Sequence, residues 1–138
     1  MTAVLLDTHV WLWYAEGTTE RLRPPTVKKL EDARRTDGFA VSAISVWEVG
    51  VLSAKRRIKL SAPLRDWVDS ALGVPGIRFL PLDAASATAN TLLPGEPNAD
   101  PADRILIATA RTQNIPLATR DADILKYGKL GFVRTVAI

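Results

Sequence analysis

The sequence contains no cysteine and only one histidine, His9, among its 138 residues. Disulfides, thiolate zinc sites, iron–sulfur clusters, cysteine nucleophiles and multi-histidine metal centres are therefore excluded. The sequence also lacks an apolar run of the roughly eighteen residues that a membrane span needs. A signal peptide is not expected either, because Asp7 interrupts the first apolar run. We therefore expect a cytoplasmic protein without membrane contact, in which carboxylates hold any metal.

Neither sign of charge dominates the composition. Eighteen Lys and Arg against fifteen Asp and Glu give a formal net charge of +3. Such a charge permits a nucleic-acid partner without requiring one. The length predicts one domain over residues 1–138, which is large enough to bury a core without disulfides.

Short aliphatic runs alternate with amphipathic helical patterns, which predicts an α/β domain around a mostly parallel sheet. The predicted strands are 3–6, 39–41, 77–80, 116–119 and an edge strand at 133–138. Helices are predicted over 10–15, 26–35, 63–72 and 83–92, and from Ser45, Asp100 and Asp121 onward. Because Trp47 and Trp67 lie at helical spacing among aliphatic residues, both indoles are predicted to lie in the core.

Four carboxylates stand apart from the solvated surface charges. Asp7 follows the first predicted strand and Asp121 the fourth, while Glu48 and Asp103 are flanked by apolar residues. Burying an unpaired carboxylate costs on the order of several kcal/mol, so such groups need a partner or a metal. Functional residues gather at the carboxyl ends of parallel strands, where Asp7 and Asp121 are expected. Carboxylates meeting there would select Mg²⁺ or Mn²⁺, a site suited to phosphodiester cleavage.

Helix capping is a competing interpretation for single carboxylates. Ser45 and Glu48 match a capping box, and Asp100 and Asp103 have the same layout with a proline at the first helical position. Asp121 would then belong to the acidic first turn of a short helix. Capping does not account for several carboxylates at one edge of a sheet.

Four segments resemble, in order, the four motifs of PIN-domain proteins, and especially those of the bacterial VapC-type toxins. They are LLDTHVWLW at 5–13, SAISVWEV at 42–49, DPADRILIATA at 100–110 and LATRD at 117–121. Together they span nearly the whole chain. The resemblance implies a three-layer α/β/α sandwich with a mostly parallel central sheet, and a Mg²⁺- or Mn²⁺-dependent endoribonuclease that cleaves RNA.

The resemblance also implies the roles of individual residues. Asp7, Glu48 and Asp103 fall on the three most regular acidic positions of the family, as catalytic and metal-binding residues. Asp121 falls on the more variable fourth position, for which Asp123 is an alternative. Family members usually form homodimers and are neutralised by a small VapB-like antitoxin encoded beside them, whose C-terminal segment crosses the active-site groove.

Other residues are expected to support the site. Thr8 and Thr119 match hydroxyl positions that orient carboxylates or water in the family. Arg104 and Arg120 adjoin the acidic positions and could pair with a carboxylate or with the scissile phosphate. His9 is expected to pack or form a hydrogen bond, because metal-activated water needs no imidazole base.

The densest basic run has two open interpretations. It either contacts the RNA backbone or the antitoxin, or it forms a solvated helix end where cations suit the helix dipole. The run consists of Lys55, Arg56, Arg57 and Lys59.

Two other functions are compatible with an aspartate after the first strand. Aspartate-based phosphatases normally carry a second aspartate where this chain has His9, and receiver domains carry a lysine where Arg120 follows Thr119. Both therefore fit poorly. A catalytically idle PIN-like module that binds RNA or protein is the other alternative, and four intact acidic positions argue against it.

Overall fold

The computed structural model of the protein describes residues 3–18 and 20–138. Within these residues, five strands pair in parallel to form one sheet. The strands are β1 Val4–Leu6, β2 Phe39–Ser42, β3 Ile77–Leu80, β4 Leu117–Thr119 and β5 Thr135–Ala137. Their order in the sheet is β3-β2-β1-β4-β5. Every predicted strand is present, and the sheet is parallel throughout.

Helices connect the strands. They are α1 Thr8–Glu16, α2 Pro24–Thr36, α3 Ala43–Ala54, α4 Leu64–Leu72, α5 Ala84–Ala89, α6 Pro101–Gln113 and α7 Ala122–Lys129. A 3₁₀ turn at Asn90–Leu92 continues α5. In the part of the chain that the structure describes, no helix has the length and apolar character needed to cross a membrane.

Alternate residues of the strands pack into two separate cores, one on each face of the sheet. On one face, Leu6 and Val41 pack with buried residues of α1, α2 and α4, including Trp11, Leu30 and Trp67. On the other face, Leu5 and Leu117 pack with α6 and α7. The sheet therefore has helices on both faces, which confirms the predicted three-layer sandwich.

Strand β1 lies at the centre of the sheet and marks its switch point. Leu5 pairs with Ala40 of β2 on one side and with Leu117 of β4 on the other. Chain connections leave the carboxyl ends of β1 and β4 in opposite directions, which opens a crevice where parallel α/β sheets bind ligands. The residues that follow these two strands, Asp7 and Asp121, thus lie at the same edge.

The prediction for the two tryptophans was half right. Trp67 is buried and packs edge-to-face on Trp11, with ring centroids 5.1 Å apart. Trp47 is 60% exposed, so its predicted place in the core was wrong. In α3 the fully buried apolar residue is Val49, and a residue two positions earlier points about 200° away around the helix.

The predicted capping box in α3 was also wrong. The helix begins earlier, at Ala43, and its N-cap is Ser42, whose Oγ accepts a hydrogen bond from the Ile44 N–H at 3.1 Å. Ser45 is fully buried inside the helix. Its hydroxyl, together with Glu48, therefore serves contacts outside the helix.

Candidate active site

Asp7 anchors the site at the end of β1. It is the N-cap of α1, where Oδ1 accepts the Thr8 N–H at 2.7 Å. Oδ2 accepts the Thr119 hydroxyl at 2.6 Å. Only 8% of Asp7 is exposed, and burial raises the pKa of its carboxyl, although the hydrogen bonds from Thr119 and Thr8 act against that rise. The carboxylate is thus fixed in orientation by donors from two adjacent segments.

Thr8 connects α1 to Glu48 on α3. Its hydroxyl donates to Oε1 of Glu48 at 2.6 Å and lies 2.9 Å from the Ser45 hydroxyl. Because Thr8 has a single hydroxyl proton, Ser45 donates its own proton to Thr8. Burial raises the pKa of Glu48, and the hydrogen bond from Thr8 partly offsets this. A buried chain of hydroxyls therefore determines where the Glu48 carboxylate lies.

Asp103 lies in the first turn of α6. Its N–H donates to the side chain of Asp100, the N-cap, at 3.1 Å, as the sequence predicted. Oδ2 accepts the Asn98 side-chain amide at 2.8 Å. Burial, followed by repulsion from Asp7 and Asp100, raises the pKa of Asp103 to about 8. Near neutral pH, this carboxyl therefore retains a proton for part of the time unless a cation replaces it.

Asp121 is the N-cap of α7. Its Oδ1 accepts the Ile124 N–H at 3.0 Å, and its own N–H donates to the Thr119 hydroxyl oxygen at 3.0 Å. Thr119, which is fully buried, therefore links Asp121 to Asp7. The alternative residue, Asp123, is exposed and lines a different cavity, beside α7.

The carboxylates of Asp7, Glu48, Asp103 and Asp121 line one cavity of about 330 Å³. The side chain of Asp100 lines it as well. Sequence reasoning treated Asp100 only as a helix cap. Its three-residue spacing from Asp103 was the available signal, because the N-cap side chain and the third residue of a helix lie close together.

Arg120 and two aromatic side chains form another part of the cavity wall. The Arg120 guanidinium lies 4.9 Å from the centroid of the Trp13 ring and donates to the backbone carbonyls of Arg21 and Ile138. His9 is exposed, lines the cavity, and stacks at a tilt 5.7 Å from Trp13. The described residues offer Arg120 no carboxylate partner, so one of its two predicted pairings is not formed.

Two further groups of predicted residues lie outside the cavity. Arg104 donates through Nε to the Asn98 carbonyl at 2.8 Å and so fastens the loop before α6. The basic run is exposed at the C-terminal end of α3 and in the turn that follows. The opposite, N-terminal end of α3 is the one that lies at the cavity. The basic run comprises Lys55, Arg56, Arg57 and Lys59.

The side chains present suit a hard divalent cation in their chemistry. Among residues 3–18 and 20–138, no three Asp, Glu or His side chains already form a ligand group around one point. The cavity nevertheless offers oxygen donors from several carboxylates, the ligands that Mg²⁺ and Mn²⁺ prefer. Repulsion contributes to the raised pKa values of Glu48 and Asp103. A cation would relieve that repulsion.

Comparison with known proteins gives consistent results at the levels of sequence and structure. Residues 4–130 match the PIN domain family. The chain is 38% identical over 122 residues to Ribonuclease VapC22 of Mycobacterium tuberculosis, and the match covers 88% of each chain. The fold is similar to VapBC2 from Rickettsia felis bound to a promoter DNA fragment (TM-score 0.71, 15% identity, 99% and 98% of the two chains). It is also similar to FitAcB from Neisseria gonorrhoeae (TM-score 0.60, 23% identity, 96% and 95% of the two chains).

Proposed function

Because this chain belongs to the PIN-domain family, we propose that it is a Mg²⁺- or Mn²⁺-dependent endoribonuclease and the toxin of a toxin–antitoxin pair. The observation that carries the proposal is the acidic cavity at the carboxyl edge of the sheet. Carboxylates from four separate segments of the chain meet there, after β1, within α3, at the start of α6 and after β4. Fold alone does not determine a function, so the chemistry of this cavity carries the argument.

Asp7, Glu48, Asp103 and Asp121 are the residues that would hold the metal. When bound, the ion supplies activation of a water molecule and stabilisation of the charge that develops on the phosphate. The contribution of the chain itself is to orient the carboxylates before the ion binds. Hydroxyl donors hold Asp7 and Glu48, and such outer contacts typically govern how well metal ligands function.

Arg120 is the residue that we propose to contact RNA inside the cavity. Its guanidinium packs over Trp13 and forms no ion pair with a carboxylate among the described residues. A fixed arginine beside a cluster of carboxylates can bind a phosphate that the cluster would otherwise repel. The basic run at the end of α3 would bind the RNA backbone or the antitoxin farther from the cavity.

The proposed protein partners are a small VapB-like antitoxin and a second copy of the chain. Structural neighbours that are toxin–antitoxin assemblies support the first partner. The exposed Trp47 on α3 and the exposed Leu64 on α4, a helix that contacts α3, support the second, because large exposed apolar side chains favour an interface. We place this activity in the cytoplasm, where the RNA substrates are.

The direct test removes one charge at a time from the cavity. Asp7→Asn and Asp103→Asn should each lower Mn²⁺-dependent RNA cleavage by at least about a hundredfold, because a neutral amide is a poor ligand for a hard cation. Both variants should also relieve growth inhibition on induced expression. The fold should survive Asp7→Asn, since the side chain keeps its shape and the amide oxygen can still accept one of the two hydrogen bonds that Asp7 accepts.

Asp123→Asn is the matched control, because it makes the same change on α7 but outside the cavity. It should cleave RNA at the rate of the parent chain. Asp121→Asn should have a milder effect than Asp7→Asn, since the fourth acidic position is the variable one. Full cleavage by both Asp7→Asn and Asp103→Asn, with the fold confirmed by circular dichroism, would refute the assignment.

A further inference from the structure

One side chain of the loop at residues 94–99, outside the predicted motifs, contacts an acidic residue of the cavity from behind the cavity lining. Asn98 donates through Nδ2 to Oδ2 of Asp103 at 2.8 Å. We propose that Asn98 is a positioning residue of the active site, which holds the Asp103 carboxylate in the orientation that the divalent cation requires. The inference rests on the proposed function, since it assigns Asn98 a role in that same site.

The direction of this hydrogen bond is fixed by a second contact. The Oδ1 atom of Asn98 accepts the Asp100 N–H at 3.0 Å. An asparagine amide has its acceptor and its donors on opposite arms, so the arm that faces Asp103 must be the donor. Asn98 thus gives the Asp103 carboxylate a hydrogen-bond donor without adding a charge to an already acidic cavity.

The backbone of Asn98 is held as well as its side chain. Its carbonyl accepts the Arg104 Nε–H at 2.8 Å. At the other end of the loop, the Tyr127 hydroxyl donates to the Pro94 carbonyl at 2.5 Å. The loop therefore holds the amide in a fixed position. A residue that orients a metal ligand needs such a fixed position.

The contact distinguishes the two oxygens of Asp103. Oδ2 is occupied by Asn98, whereas Oδ1 accepts no hydrogen bond from the residues that the structure describes. Asn98 therefore restrains rotation of the carboxylate and leaves one defined oxygen for the cation. Without this donor, the carboxylate can turn toward or away from its acidic neighbours.

The test compares two substitutions that differ in shape and in hydrogen-bonding character. Asn98→Ala removes the donor, and it should weaken Mn²⁺ binding, measured by calorimetry without RNA, by about 10- to 100-fold. Asn98→Asp keeps the shape and the acceptor for the Asp100 N–H but places a negative charge against Asp103. It should cleave RNA at no more than about a tenth of the parent rate at saturating Mn²⁺, because the ligand is displaced. Glu96→Gln, in the same loop, is the control and should match the parent in both measurements.

The outcomes separate a positioning role from a role in loop structure. If Asn98→Asp cleaves RNA as fast as the parent, the side chain acts only by shaping the loop, and the inference is wrong. Unchanged Mn²⁺ affinity in a folded Asn98→Ala chain would also overturn it. If Asn98→Ala does not fold, the cleavage rate of Asn98→Asp decides. A parent chain that binds no Mn²⁺ would instead refute the proposed function, and with it this inference.

Discussion

Thr119 shows how much of the site depends on one hydroxyl group. This residue is fully buried at the end of β4, and it donates to Asp7 while accepting the Asp121 N–H. Both of its hydrogen-bonding functions are therefore used by acidic residues of the cavity. Few other side chains of this size could serve both, because the group must donate and accept within one small volume.

Thr119→Val should lower the free energy of unfolding by about 1–3 kcal/mol, since an isosteric methyl group leaves a buried carboxylate oxygen and an N–H without their partner. RNA cleavage should fall with it, because Asp7 loses the donor that orients it. Urea denaturation and the cleavage rate measure the two effects. Thr119→Ser keeps the hydroxyl and should restore most of both, and equal losses in the two variants would contradict the assigned role.

At this scale, the acidic residues were predictable and their neutral partners were only partly so. Asp7 was identifiable because a charge directly after an apolar strand must be solvated, paired or bound to a metal. Thr8 and Thr119 were found through the motif resemblance. Asn98 was missed, because it lies in an irregular loop where hydrophobic periodicity carries no information. Its contact with Asp103 depends on the path of that loop in space.

Helix α3 is the element that delivers Glu48 to the cavity. The helix starts immediately after β2, so its first turns lie at the carboxyl edge of the sheet. Ser42, the last residue of the strand, is also the N-cap, and its hydroxyl satisfies the Ile44 N–H. The strand end and the helix start are thus joined without a loop, which limits how far Glu48 can move relative to Asp7.

Ser42→Ala should lower the free energy of unfolding by about 1 kcal/mol, which is the typical cost of removing an N-cap side chain. Ser53→Ala, in the last turn of the same helix, should change it by only a few tenths of a kcal/mol in comparison, because the Ser53 hydroxyl caps no backbone group among the described residues. Thermal or urea unfolding of the two variants makes the measurement. If the two substitutions have equal effects, Ser42 is not the cap.

The errors in predicting α3 share a physical cause. Ser45 satisfies the sequence pattern of an N-cap. In the structure, however, the buried strand β2 ends at Ser42, and the helix begins directly after it. Trp47 satisfies the spacing of a core residue, but α3 turns Val49 toward the sheet instead. Local patterns describe what a helix can do, whereas the choice of start and face is made by packing against the rest of the chain.

Taken as a whole, the molecule gathers negative charge at one edge of its sheet although its formal net charge is positive. The α/β architecture was predictable, because alternating aliphatic runs and amphipathic helices leave few other arrangements. The strand order accounts for the gathering of charge, since β1 lies between β2 and β4. The size of the resulting electrostatic effect was not predictable, because it depends on burial and on distances across the sheet.

The metal-free protein should lose stability as the pH rises. The folded chain raises the pKa of Asp103 to about 8 from an unfolded value of 3.8, so between these values it binds a proton that the unfolded chain releases. The free energy of unfolding therefore falls with increasing pH across this window. Burial shifts the pKa of Asp7 and Glu48 in the same direction. Melting temperatures in EDTA should be higher at pH 5.5 than at pH 8.

Mn²⁺ should reduce the dependence of the melting temperature on pH, because a cation stabilises the ionised carboxylates that the folded protein otherwise disfavours. Asp103→Asn removes the titrating group and should show a shallower decline in EDTA than the parent chain. A melting temperature that increases from pH 5.5 to pH 8 in metal-free parent protein would show that repulsion among these carboxylates does not limit stability.

The hydrogen bond between Thr119 and Asp7 joins residues at opposite ends of the sequence, and this separation affects when the site can form during translation. A nascent chain that stops before β4 already carries Asp7, Glu48 and Asp103, but it lacks the strand that pairs with β1 on one side. It also lacks the hydroxyl that orients Asp7. An incomplete translation product therefore lacks the complete cavity. A chain able to cleave RNA exists only after nearly all of the sequence has been synthesised.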